Sequence, residues 1–229
     1  MPQGNRGTVS HLTPSAARRG IVPSRLVHLF LSRRLGTRYA TLLGLGIATF
    51  VVCQTIAYWW LPEGLLRGRS IGALATGDEA AHSFGAEWVR IVAFNMAILL
   101  LVYVGANVIR FSNGVPLGYF AVIAMQGYFG VITGTNSFTL LSEEGKIAPS
   151  LYWLLTPGFY ELAAYALAVA ATYEISRWQD VRIQGKTKAV RFQPSEGGWS
   201  NPQVRIGLGV AIAALVATNG WEASRIMQI

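Results

Sequence analysis

Five apolar stretches, each close to the roughly 20 residues that cover a hydrocarbon core of about 30 Å, decide what this chain can fold into. They fall at residues 39–61, 88–109, 116–138, 149–173 and 204–221. Backbone polar groups in lipid must find partners within their own segment, so stretches of this length are predicted as helices. The expected fold class is all-α: a polytopic membrane protein built as a five-helix transmembrane bundle with a short N-terminal amphipathic helix. Composition points the same way, because 52% of the 229 residues are hydrophobic and 13% are charged, whereas a soluble domain has about 25% charged residues. Mean hydropathy is +0.38. One cysteine, Cys53, excludes a disulfide framework and any multi-cysteine metal cage within one chain.

Residues 1–23 hold Pro, Gly, Ser, Thr and Arg with almost no apolar periodicity and read as a flexible basic cytoplasmic tail. Residues 24–38 set Leu26, Leu29, Phe30 and Leu35 among Arg25, Arg33, Arg34 and Arg38. That pattern predicts an interfacial helix whose arginines face an anionic membrane surface, with a solvated basic linker as the alternative. The first apolar stretch is longer than the roughly 7 to 15 residues of a signal-peptide core. It ends in Tyr58, Trp59 and Trp60 and reads as an uncleaved signal anchor.

Orientation follows the lysines and arginines, which short cytoplasmic loops retain. Fourteen of the 19 fall in residues 1–38, at Arg110 or in residues 177–205. Arg67, Arg69, Arg90, Lys146 and Arg225 fall on the other side, together with Glu63, Asp78, Glu79, Glu87, Glu143, Glu144 and Glu222. Five spans, N-terminus inside and C-terminus outside the cytoplasmic membrane, satisfy both patterns. The net charge of +8 is then a property of the cytoplasmic face, and nucleic acid is not an expected partner. Membrane lipids and other membrane or cell-envelope proteins are. Residues 62–87 are expected to fold over the outer mouth, and residues 174–203 to form a basic, irregular, turn-rich inner loop.

Glu161 needs explaining, since an ionised carboxylate at the centre of a membrane helix costs about 2.5 to 3.5 kcal/mol on insertion scales. Three readings stay open: a hydrogen-bonded joint between helices, a proton or cation site, or a position nearer the interface. Pro157 and Gly158, one turn earlier, predict a kink or break in the fourth span. Gly114, Gly118, Gly127, Gly130 and Gly134 predict close helix contacts, with GxxxG steps at 114/118 and 130/134. Whether these serve one chain or a homo-oligomer the spacing leaves open. Asn95 and Gln126 are expected to hydrogen-bond between helices. His11, His28 and His82 are too scattered to share a metal, and no phosphate loop, nucleophile elbow or zinc signature is present. No catalytic residue, metal or cofactor is expected.

From about residue 90 onward the landmarks are ordered: Asn95, the Asn113-Gly114 turn with Gly118, the run from Pro157 through Gly158, Phe159 and Tyr160 to Glu161, and Trp221-Glu222-Ala223. In this the chain resembles the stage II sporulation protein M family of integral membrane proteins. The family pattern has Pro-His-Gly where this chain has Thr156-Pro157-Gly158, so its histidine is absent. The resemblance implies a five-span protein without catalytic activity, one that anchors partner proteins as the family member does for peptidoglycan-degrading enzymes in spore formers. The leading expectation is therefore a membrane scaffold or assembly subunit. A small-solute, ion or proton transporter using the broken fourth span and Glu161 is the alternative.

Overall fold

A computed structural model describes residues 25–69, 83–138, 145–183, 186–191 and 197–228. The expected basic tail, residues 70–82 of the expected outer loop, and His11, His82, Asp78, Glu79, Glu143 and Glu144 lie outside the described residues. The chain is mostly helical, and four helices are long and apolar enough to cross a membrane: Leu35–Trp60, Phe84–Val104, Leu117–Gly134 and Pro202–Ile226.

The first helix, α1, is only Arg25–Phe30, and α2 starts at Leu35. The expected interfacial helix over 24–38 therefore ends early, at a turn through Ser32 where Arg34 N donates to Ser32 Oγ at 3.3 Å. Along α2 the buried residues are Arg38, Leu42, Gly46, Phe50, Gln54 and Ala57. Their spacing of four, then three, marks one narrow face.

Helix α3 is α-helical over Phe84–Ala97 and π-helical over Ile98–Val104. The wider turn brings Leu99, Tyr103 and Val104 inward together. Ser83 caps its start, accepting from Ala86 N. A short strand, β1 (Ile109–Arg110), and a turn at Gly114 lead to α4, Leu117–Gly134. Gly114 has φ +87°, a left-handed conformation that glycine tolerates. It sits in a turn outside any helix, so Gly114 and Gly118 do not form a helical GxxxG step.

The fourth apolar stretch is the one that differs most from expectation. Leu151–Leu155 is a 3₁₀ turn, and α5 begins only at Pro157 and runs to Ala171, with a further 3₁₀ turn Thr172–Ile175. Pro157 occupies the first helical turn, where its missing N–H costs nothing. The proline and Gly158 thus start a helix and do not kink one. Finally α6, Pro202–Ile226, is capped by Asn201, whose side chain accepts from Gln203 N at 2.8 Å.

The segment 174–203, expected as an irregular inner loop, carries regular structure among its described residues. Strands β2 (Trp178–Ile183) and β3 (Lys186–Arg191) form an antiparallel hairpin, and β1 pairs parallel with β2. The strand order is β1-β2-β3, so the fold is not purely helical.

Helix directions can be read from contacts. Gly46 meets Gln126, Thr49 meets Gly127, Phe50 meets Gly130 and Gln54 meets Gly134, so α2 and α4 run parallel. Asn95 reaches Glu161 and Asn107 reaches Val169, so α3 and α5 run parallel too. Gly207 of α6 lies against Ala171, and Trp221 against Tyr160 with ring centres 5.9 Å apart, which sets α6 antiparallel to α5.

Candidate functional site

Two groups of buried polar side chains gather around α5, one toward each of its ends. The first surrounds Glu161. It lies four residues past Pro157, about 6 Å along the helix at 1.5 Å per residue. It is therefore nearer the end of the apolar layer than a helix spanning 149–173 implied, because that helix starts eight residues later. Glu161 is 8% exposed. Asn95 Nδ2 of α3 donates to Glu161 Oε1 at 3.3 Å and lies 3.0 Å from the Asn219 side chain of α6. With its nitrogen turned toward the carboxyl, the Asn219 amide donates to the same oxygen at 2.5 Å and to Leu215 O at 3.3 Å.

A second carboxyl completes the group, since the Glu222 side chain of α6 lies beside that of Glu161. Glu87, 1% exposed, lies near Glu222 and pairs with Arg90 at 2.6 Å. Each of the three carboxyls comes from a different helix and lies within about two turns of that helix's end. Three helices, α3, α5 and α6, are thereby tied at one point. Trp88 Nε1 adds a further tie, donating to Val216 O at 3.1 Å.

The second group closes the opposite end of α5, where the last carbonyls of a helix lack intrahelical partners. Asn107 Nδ2 donates to Val169 O at 2.8 Å, Arg38 Nε to Ala170 O at 3.1 Å, and Arg110 Nη2 to Tyr173 O at 2.5 Å. Both guanidinium groups lie over the Tyr173 ring, at 4.9 Å for Arg38 and 4.2 Å for Arg110. Burial lowers the Arg110 pKa from its ordinary value, while Tyr173, Tyr119 and Glu174 act to raise it. Cations at a helix C-terminus also meet the negative end of its dipole. Glu174 is tied in turn to the start of α6, accepting from Asn201 Nδ2 at 2.6 Å.

Arg38 was expected on the membrane surface with Arg25, Arg33 and Arg34. Those three are exposed, but Arg38 is 1% exposed and also donates to Ser32 O at 2.7 Å. The turn at Ser32 rotates it away from the basic stripe and into the end of α5.

The glycines have separate partners. A Cβ at Gly130 would lie 3.0 Å from Gln54 N and 3.1 Å from Cys53 Cβ; one at Gly134 would lie 2.5 Å from Gln54 O. At Gly127 it would meet Thr49 and Cys53. These three face α2 of the same chain. Gly118 faces α3 instead, with Tyr103 O 2.6 Å from its Cβ position. Gln126 is far from Glu161 in the fold: its side chain fills the space that Gly46 leaves open, and its Nε2 is buried without a hydrogen-bond partner among the described residues.

Sequence reasoning placed Glu161 and Asn95 in separate spans and missed Asn219, Glu222 and Glu87 as their companions. Asn219 and Glu222 are three apart on α6, a spacing that puts them on one helix face. That was the available signal. No protein-family model matches the chain, and no curated protein and no solved structure matches it.

Proposed function

We propose that this chain is a five-span integral protein of the cytoplasmic membrane, N-terminus inside and C-terminus outside, acting as a non-catalytic scaffold or assembly subunit in the manner of the stage II sporulation protein M family. The sheet supports the count of five. Open sheet edges are not tolerated in hydrocarbon, so β1 and β2, being paired, belong on one membrane face. The chain between them holds α4 and α5, and an even number of crossings requires α5 to cross as well as α4. Its length permits this: 15 residues of α-helix and four of 3₁₀ helix rise about 22 Å and about 8 Å, close to the hydrocarbon thickness. Exposed aromatics cluster at both ends, Trp59, Trp60, Tyr152 and Trp221 at one, Trp178 and Trp199 at the other, as interfacial belts do. Reporter fusions after residues 112, 190 and 228 are expected to read inside, inside and outside. An inside reading at 228 overturns the odd number of spans.

One observation carries the scaffold reading: the Glu161 carboxyl is buried and committed to hydrogen bonds with neighbours on two other helices. A group so engaged serves as a joint. Glu161→Gln keeps both halves of the joint, because the amide oxygen accepts from Asn95 or Asn219 and the amide nitrogen donates to Glu222. Partner recovery in a mild-detergent pull-down and thermal stability are therefore expected to survive Gln. Glu161→Leu strands Asn95, Asn219 and Glu222 and is expected to cost about 1 to 2 kcal/mol.

A proton-transporting role is the second reading, and the approach of the Glu161 and Glu222 side chains is what favours it, because two neighbouring acids on different helices are what a proton relay uses. Under that reading Gln is as damaging as Leu. Proteoliposome proton flux that requires Glu161 and is abolished by Glu161→Gln would replace the scaffold assignment.

A further inference from the structure

The three-stranded sheet carries a row of exposed side chains that nothing in the fold uses. Ile109 of β1 stands opposite Trp178 of β2, and Trp178 stands opposite Arg191 of β3. Residues directly opposite on neighbouring strands share a sheet face. The row therefore runs aliphatic, indole, guanidinium across the sheet, with Ile109 41% and Trp178 43% exposed. Arg177 precedes Trp178, and the three residues Arg177, Trp178 and Arg191 line an open depression of about 320 Å³. Neither arginine side chain is hydrogen-bonded or ion-paired among the described residues. From residue 177 to 191 the chain carries five basic residues and one acid, Asp180. Asp180 is on the same face two positions along β2, opposite Ala189.

We propose that this face binds the phosphate-bearing headgroup of an anionic phospholipid in the leaflet beside it. The proposal rests on the membrane reading above. Three properties of the row point to a lipid. Two planar guanidiniums flanking one depression match a phosphate by paired hydrogen bonds. Ile109 and Trp178 beside them have no use for a soluble phosphate, whereas an indole at the headgroup boundary is the ordinary interfacial anchor. The row also sits at the right height: β1 starts five residues after Val104 ends α3, and β2 starts three after Ile175. Charge complementarity with anionic lipid adds about fivefold in affinity per basic residue near the surface.

The test uses the full chain reconstituted in vesicles of phosphatidylcholine and phosphatidylglycerol in equal amounts. The membranes are washed with alkaline carbonate, extracted into detergent, and the retained lipids counted by native mass spectrometry. Wild type is expected to retain phosphatidylglycerol over phosphatidylcholine, and Arg177→Gln/Arg191→Gln to lose at least about fivefold of that preference while resisting carbonate equally well. Trp178→Ala is expected to lower retention of both lipids. Undiminished phosphatidylglycerol preference in the double variant, with the protein still carbonate-resistant, overturns the site alone. Release of the wild type by carbonate overturns the membrane reading and the site with it. If detergent-solubilised wild type binds inorganic phosphate through these arginines and shows no lipid preference, the ligand is a soluble anion and the lipid assignment fails.

Discussion

Gly134→Leu is expected to be among the most damaging single substitutions in this chain, costing about 3 kcal/mol or more and lowering the melting temperature in detergent by roughly 10 °C. At Gly134 even a methyl group would stand 2.5 Å from Gln54 O, 2.8 Å from Ala57 Cβ and 3.0 Å from Tyr58 N. Two of those three atoms are backbone, so no rotamer change relieves the clash. Helices α2 and α4 must separate along the seam that Gly127, Gly130 and Gly134 make. Helix association in lipid depends on packing and has no help from the hydrophobic effect, so lost contact is not recovered elsewhere. Gly44 supplies the control. It lies on α2 with nothing near its Cβ position, so Gly44→Ala is expected to leave the melting temperature unchanged or raise it slightly through helix propensity. Equal melting curves for Gly134→Leu and wild type would dismiss the seam.

Arg38→Met is expected to cost about 3 to 6 kcal/mol, the loss of two charge-assisted hydrogen bonds at about 1.5 to 3 kcal/mol each. Methionine keeps the apolar stem but leaves Ala170 O and Ser32 O without their donor. Tyr173 keeps Arg110 on its ring but loses Arg38. Arg38→Lys retains one donor group without the planar fork and is expected to fall between Met and wild type. Arg25→Met, on an exposed side chain, is the matched control and is expected to change stability by less than about 0.5 kcal/mol. Denaturation in detergent, followed by circular dichroism, separates the three. Identical midpoints for Arg38→Met and Arg25→Met would return Arg38 to the membrane surface.

How far the sequence could be read depended on whether a signal was carried by period or by three-dimensional meeting. Gly130 and Gly134 were legible because small residues four apart have one structural use in an apolar helix. The apolar stretches were legible for the same reason, since length and the absence of charge are local properties. Arg38 was not, because its side of the helix depends on where α2 begins, and the turn at Ser32 that sets this leaves little trace in composition. The start of α5 was hidden similarly: hydropathy treats Leu151–Leu155 as part of the span, whereas the helix begins at Pro157. The hairpin was hidden by strands that carry charges on both faces and bury little. Asn219 and Glu222 could have been paired by their spacing, but their meeting with Glu161 comes from the antiparallel approach of α5 and α6, which no local pattern encodes.

The parallel pairing of β1 with β2 also bears on how the protein is made. Ile109 leaves the ribosome long before Trp178, and α4 and α5 are synthesised between them. Parallel strands need such a crossover, and under the five-span topology proposed above the crossover is a pair of helices that must first enter the bilayer. The β2–β3 hairpin closes locally, but on that topology the sheet cannot be completed until both helices have integrated and β2 has returned to the face where β1 waits. Completion of the sheet thus records that insertion has succeeded. A chain in which α5 stays out leaves β1 as an unpaired edge, the kind of exposed strand on which aggregation and proteolytic clearance act.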